Sequence, residues 1–250
     1  MKVGMPALLE FGCVRENADF AHSLGLDFVE LNLNLSYCRK SLESGSFREE
    51  LGELESTLHF FDEADFGTYP EVVDAYLRLL DRYCGYGEGK IRQVNVHLQS
   101  GPVVTISGVK HYVYEKEFGE YADRLLKGLS KAREICASHK MNLVVENTDD
   151  LPPYATKVYE KLAEAKFFFC YDIGHDHLCN DLLWKFQSTH DMDFKEFHIH
   201  DAKQRKQCHL ALGQGELDIK KFKALAIDND AYVVLEVKCS QDLIVSVGAF

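Results

Sequence analysis

Six acidic or imidazole side chains each stand at or near the end of a short apolar run. They are His59 in TLHFF, His97 in VNVHL, Glu146 in LVVENT, Asp172 in FFFCYDIGH, His198 in FHIHD and Glu236 in VVLEVK. Each run has the length of a buried strand, and each of these side chains can bind a hard or borderline divalent ion. They lie 38, 49, 26, 26 and 38 residues apart, which points to strand ends converging on one site. Glu146, Asp172, His198 and Glu236 together supply three carboxylates and one imidazole. That set suits Mn²⁺, Zn²⁺, Co²⁺ or Mg²⁺ and, without a thiolate, is not a structural zinc site. Crowded in a low dielectric, like charges of this kind require a cation to offset them. His59 and His97 are expected on the opposite rim, holding a second ion through a bridging Glu146 or binding substrate oxygens.

The elements that must position these groups alternate along the chain. Strand-like runs are expected at 2–8, 28–33, 56–60, 93–97, 142–146, 167–172, 196–200 and 232–237. Helical patterns fall at 16–24, 47–54, 70–83, 118–139, 153–165, 175–186, 219–227 and 240–247. In the 70–83 pattern, Val72, Val73, Tyr76, Leu79, Leu80 and Tyr83 share one stripe. Pro70 and Pro153 stand where a first-turn proline is tolerated. Strict alternation implies parallel strands with helical crossovers. Eight such units in a chain of 250 residues predict one α/β domain over 1–250, a closed (β/α)8 barrel. No GxGxxG follows the first strand, which counts against an open doubly wound sheet. In the barrel, side chains at the C-terminal strand ends share one mouth, and that is where the six residues fall. The segments 34–45 and 99–116 read as irregular and are expected to set substrate choice.

Composition narrows the function classes. The net charge of −12, from 28 basic and 40 acidic residues, does not attract polyanions, so nucleic acid is the less expected partner. Lys203, Arg205 and Lys206 form a local basic cluster. Eight cysteines, none in a CxxC pair, read as free thiols in a reducing cytoplasm. No apolar run has transmembrane length, and the first residues lack the apolar stretch of a signal peptide. An aromatic stretch at 111–114 is a candidate interface for a homo-oligomer. His177 and His190, with no partner pattern, are expected at the surface. His175 lies three residues after Asp172 and is brought to the same mouth, and His209 follows the seventh strand. Gly213 and Gly215 let that loop turn tightly and approach a ligand. His198 and His200 both point inward, and spacing alone does not say which binds metal.

Taken in order, ENT at Glu146, DIGH at Asp172, HIHDAK at His198, HLALGQGELD at His209 and LEVK at Glu236 resemble the xylose-isomerase-like barrels. That superfamily includes sugar and sugar-phosphate isomerases and epimerases and the endonuclease IV family (AP endonuclease family 2). For the isomerase branch, the resemblance implies one divalent ion on Glu146, Asp172, His198 and Glu236. The pattern HxxD favours His198 over His200, with Asp201 as its partner. Glu146 and Glu236 would be acid and base in proton transfer through a metal-stabilised enediolate. His175 and His209 would hold sugar hydroxyls, and Arg205 or Lys238 would meet a phosphate or carboxylate. The alternative is a zinc-dependent endonuclease acting at apurinic or apyrimidinic sites in DNA. There His59 and His97 match further ligands, and His175 and His209 match two ligands of a third zinc. That third site expects an acid where this chain has Gln207. A barrel that has lost activity is a third class, against which the metal-ligand set argues. The small carbohydrate substrate is the favoured reading, because backbone phosphates would meet an acidic protein.

Overall fold

Strands buried on both faces read as continuous apolar runs, and the eight expected from the sequence are the eight that form. The computed structural model describes residues 1–250. Its barrel strands are β1 (Lys2–Pro6), β2 (Phe28–Asn32), β3 (Glu55–His59), β4 (Ile91–His97), β5 (Asn142–Glu146), β6 (Phe168–Asp172), β7 (Asp193–Ile199) and β8 (Tyr232–Leu235). They are all parallel and follow chain order around the barrel. β8 closes against β1 with Lys2 opposite Tyr232 and Val3 opposite Val233. The fold is therefore a closed α/β (β/α)8 barrel, as the alternation predicted.

Register lifts the chemical residues to one end. His97 pairs with Glu146, Glu146 with Cys170, and Asp172 with His198. Partners across a parallel ladder face the same side, so these side chains share the barrel interior near its C-terminal end. Amphipathic helices cover the outside. Pro70–Gly87 buries Val73, Leu77, Leu80, Tyr83 and Cys84. The stripe expected there is thus displaced: Val72 is exposed and Leu77 takes the core. Phe118–Ser138 buries Tyr121, Leu125, Leu129, Ala132 and Cys136. A single apolar cluster of 59 buried residues joins sheet and helices. No helix is long and apolar enough to cross a membrane.

Three segments differ from the sequence reading. The stretch 34–45 carries a helix, Ser36–Ser44, which ends on Gly45 in the left-handed region at φ 79°. The stretch 99–116 holds an antiparallel hairpin, Val103–Ile106 with Val109–Tyr112. Its two-residue turn is Ser107-Gly108, both at positive φ, a turn whose twist suits a hairpin. Tyr114 is buried and bonded to Asp65 at 3.0 Å, so the exposed large apolar side chains here are aliphatic, among them Val104, Ile106 and Val109. The helix expected at 175–186 is broken into Ile173–Leu178 and Leu182–Gln187, because Asn180 and Asp181 both adopt left-handed φ. A second hairpin, Asp201–Lys203 with Gln207–Leu210, stands over the mouth beyond β7.

Candidate metal centre

The mouth opens into a cavity of about 430 Å³ lined only by polar side chains. Its wall includes His59, His97, His175, His209 and Glu236, and the buried ends of β5 to β7, with Glu146, Asp172 and His198, lie in contact with these residues. His198 is fully buried at the centre. Its Nδ1 lies 3.3 Å from Glu146 Oε1 and 3.2 Å from Glu236 Oε2. Neither His198 Nδ1 nor Glu236 Oε2 has a hydrogen-bond partner. Asp172 caps Ile173–Leu178, accepting the His175 N–H at 2.7 Å. Asn147 fixes the Asp172 backbone from both sides, donating to its carbonyl at 2.8 Å and accepting its N–H at 2.9 Å. The His175 ring then spans the two acids, with Nδ1 3.2 Å from Asp172 and 3.7 Å from Glu146.

The neighbouring histidines have separate tasks. His200 accepts the His209 N–H on Nδ1 at 2.8 Å, which leaves the proton on Nε2, 3.0 Å from Asp172. Both of its nitrogens are committed, whereas His198 Nδ1 stands without a hydrogen-bond partner between two carboxylates. A Cβ on Gly174 would overlap the His200 ring, which explains the glycine in DIGH. His209 sits at φ 55°, a conformation costing a non-glycine residue about 1 kcal/mol. That turn places its ring over the mouth, 4.2 Å from the His200 ring and 5.3 Å from that of His175. Strain of this kind collects where a side chain must be aimed.

His59 and His97 do not stand across the mouth from Glu146. β4 neighbours β5, and both imidazoles reach one carboxylate oxygen: His59 Nε2 at 3.4 Å and His97 Nε2 at 3.5 Å from Glu146 Oε2. Their rings meet edge to face at 4.8 Å. Burial alone would make His59 a weaker base. The Glu146 hydrogen bond and the charges of Glu30, Glu146 and Asp62 overcome it and raise its pKa to about 10. Glu146 resists its own desolvation through His198 and His97 and is held well below the usual carboxylate range. Glu236 behaves alike: burial opposes ionisation, but Lys238, His198 and His209 keep it ionised. Lys238 Nζ lies 2.6 Å from Glu236 Oε1. Burial is the largest influence on His209, lowering its pKa to about 4.

The other expected residues are placed otherwise. Arg205 lies at the tip of the second hairpin, donates to the His177 carbonyl at 2.6 Å and pairs with Asp181 at 2.7 Å; it does not line the cavity. Asp201 is no partner of His198. Its carboxylate clamps the following loop, accepting the N–H groups of Gly213, Gly215 and Leu217. Gly215 is small because a Cβ would strike that carboxylate, so these glycines serve the loop and do not face the cavity. Gln207 is exposed, while Cys208 beside it comes close to His175 and His209. His177 is buried rather than superficial, bonded to Glu216 at 2.8 Å. His190 stacks on Phe186 at 3.8 Å.

Sequence reasoning missed a polar layer deeper in the barrel. Glu30, Asn95 and Glu196 are buried inside the barrel. Asn95 donates to Glu146. Burial, reinforced by the Glu30 charge, pushes Glu196 up to about 8. The signal was present as a polar residue inside each apolar run, in FVELN, VNVHL and KEFHIH. Also missed were the rim acids Asp62, Asp149 and Asp150.

A donor set of three carboxylates and an imidazole, with two unpartnered polar atoms 3.2 Å apart, fits a divalent cation by charge and ligand type. Solved structures similar in fold include a D-tagatose 3-epimerase-like protein, at 18% identity and TM-score 0.77 over 98% of this chain and 94% of that one. A 3-keto-D-glucoside 4-epimerase from E. coli matches at 14% identity and TM-score 0.73, over 100% and 97%. An IOLI protein with a bound zinc atom matches at 14% and 0.68, over 100% and 99%. No curated protein matches the sequence. Residues 18–246 match the model of the xylose isomerase-like TIM barrel, and the chain belongs to that family.

Proposed function

We propose that Glu146, Asp172, His198 and Glu236 hold one divalent ion and that the protein isomerises or epimerises an uncharged sugar. The observation that carries this reading is the unpartnered His198 Nδ1 between two buried carboxylates, one of which, Glu236, lines a wholly polar cavity. The epimerase names borne by proteins of similar fold agree with it. When bound, the ion supplies Lewis acidity to the sugar's oxygens. The protein's own part is proton movement. Glu236, kept ionised by Lys238, takes the proton from the carbon beside the carbonyl, and the C–H electron pair moves onto that carbonyl. Glu146, three strands away round the barrel, is ionised at rest and returns a proton that it has first drawn from water. Delivery to the opposite face of the same carbon inverts it, and delivery to the neighbouring carbon isomerises the sugar. His175 and His209, both on the cavity wall, hold hydroxyls.

The phosphorylated alternative is disfavoured by charge. The cavity lining contains Asp62, Asp149, Asp150 and Glu236 against Lys238 and the His59 imidazolium, both already paired with acids. Arg205 is spent on Asp181. The same excess of acid opposes a DNA backbone. One feature favours the hydrolytic reading: His59 Nε2 and His97 Nε2 converge on Glu146 Oε2, a geometry able to take a second ion. The test is solvent deuterium exchange. Metal-loaded protein incubated with free ketoses in D₂O should place deuterium on the carbon beside the carbonyl, read by NMR. Cleavage of abasic-site DNA without any such exchange would favour the nuclease.

A further inference from the structure

We propose that Glu30, on β2, is the positioning residue for His198, an inference that rests on the metal reading above. Glu30 is 2% exposed. It pairs with no lysine or arginine; the one basic group in ion-pair range is His198, whose Nε2 lies 3.5 Å from Glu30 Oε1. That oxygen has no hydrogen-bond partner. A buried carboxylate so placed is costly unless an N–H faces it. Asn95 Nδ2 is the other group near Nε2, at 3.5 Å; it is a donor, shared with Glu146, and cannot accept a proton from Nε2. Glu30 Oε1, at 3.5 Å, is the acceptor within reach of an Nε2 proton.

The consequence reaches Glu146 and Glu236. A neutral imidazole carries one proton, and whichever nitrogen holds it cannot bind a cation. With the proton fixed on Nε2 by Glu30, the Nδ1 lone pair faces Glu146 and Glu236 at 3.3 Å and 3.2 Å. Remove Glu30 and the buried ring loses the group that selects its tautomer and holds its plane. Carboxylates that orient ligand histidines in this way typically change metal affinity about 10–100-fold. A residue kept only for stability would behave differently. An isolated buried carboxylate weakens the fold, so replacing it with an apolar group of similar volume should leave the metal-free protein as stable or more so.

The experiment compares wild type, Glu30→Leu and Glu30→Gln as metal-free full-length chains, titrated calorimetrically with Mn²⁺ and Zn²⁺ and melted without metal. Glu30→Leu should bind metal about 10–100-fold more weakly, with an unchanged or raised melting temperature. Glu30→Gln, whose amide oxygen still accepts the Nε2 proton, should lose less. Wild-type affinity in a folded Glu30→Leu overturns the proposal while leaving the metal centre standing. Absence of binding in the wild type overturns the metal centre itself. Should Glu30→Leu not fold, ¹⁵N NMR of labelled histidine in zinc-loaded wild type and Glu30→Gln decides. A proton on His198 Nε2 in wild type, perturbed by Glu30→Gln, supports the role, and a proton on Nδ1 contradicts it.

Discussion

The two ends of this barrel are built from the same eight strands and treat charge in opposite ways. At the N-terminal end the acids are answered. Glu55 meets Lys2, Arg92 at 3.3 Å and the Tyr232 hydroxyl at 2.9 Å. The chain's amino group meets Asp230 at 2.5 Å, and Lys195 meets Asp193 at 2.6 Å. At the C-terminal end Glu146, Asp172 and Glu236 share Lys238 and a ring of imidazoles, and two polar atoms between them stay unpartnered. One end is electrostatically closed and the other is left open to an incoming cation. Burial sharpens the difference, since Glu146 and Asp172 are almost wholly withdrawn from water while Glu55 is partly solvated. Exposed pairs contribute little and are screened; buried acids without full pairing are expensive, and a fold keeps them where they do work.

The sharpest way to break this contrast is at Glu236. Glu236→Gln keeps the shape and removes the charge, and turnover should fall by at least about 1,000-fold with unchanged circular dichroism. Near-wild-type turnover would mean that Glu236 is not the base. Next in size is Asp172→Asn, which should weaken binding of the divalent ion by more than about 100-fold, measured by titration against a competing chelator. At the closed end the effects should be small and of another kind. Glu55 resists its partial burial through Lys2, Tyr232 and Arg92, and its pKa is lowered. A lowered folded-state pKa gives stability that is present above the unfolded value, near 4.5, and is lost as pH falls through the folded value. Glu55→Gln should therefore cost under about 1 kcal/mol at neutral pH. It should also flatten the fall in melting temperature below pH 4.5, with metal affinity untouched. Smallest of all is Arg205→Ala. Because the guanidinium pairs with Asp181 outside the cavity, KM for a free ketose should change less than about 2-fold, under 0.5 kcal/mol. A large rise in KM would place an anion-binding group at the second hairpin after all.

How far the sequence could be read follows the same division. The barrel was legible because parallel strands buried on both faces are apolar throughout and their chemical residues stand at or near the last position. Each of the eight strands lies where such a run stands, shifted by a few residues at most. The hairpin at 103–112 was less visible because both its strands are largely exposed, so no alternation marks them; the Ser107-Gly108 pair was its one signal. The break at Asn180 and Asp181 was hidden because the apolar pattern continues across it. For the site, strand ends said which residues meet but not how each ring is turned. His198 and His200 are alike in sequence and differ in whether a ring nitrogen is left without a partner, and for His200 that depends on the His209 N–H reaching back across the second hairpin. Arg205 was misplaced for a related reason: both Gln204 and Arg205 take positive φ at the hairpin tip, which aims the side chain at Asp181 and not into the mouth. Glu30 and Glu196 were passed over as interior positions of apolar strands, where an acid is rare and therefore informative.

The most direct measurement is the divalent-ion content of chelator-treated protein after equilibration with Mn²⁺ or Zn²⁺ and removal of excess, for wild type, Asp172→Asn and His198→Ala. At least one tightly held ion per wild-type chain, lost in both variants, is the expected result. A wild-type chain that retains no ion, or variants that retain it equally, would contradict a metal centre at the open end of the barrel.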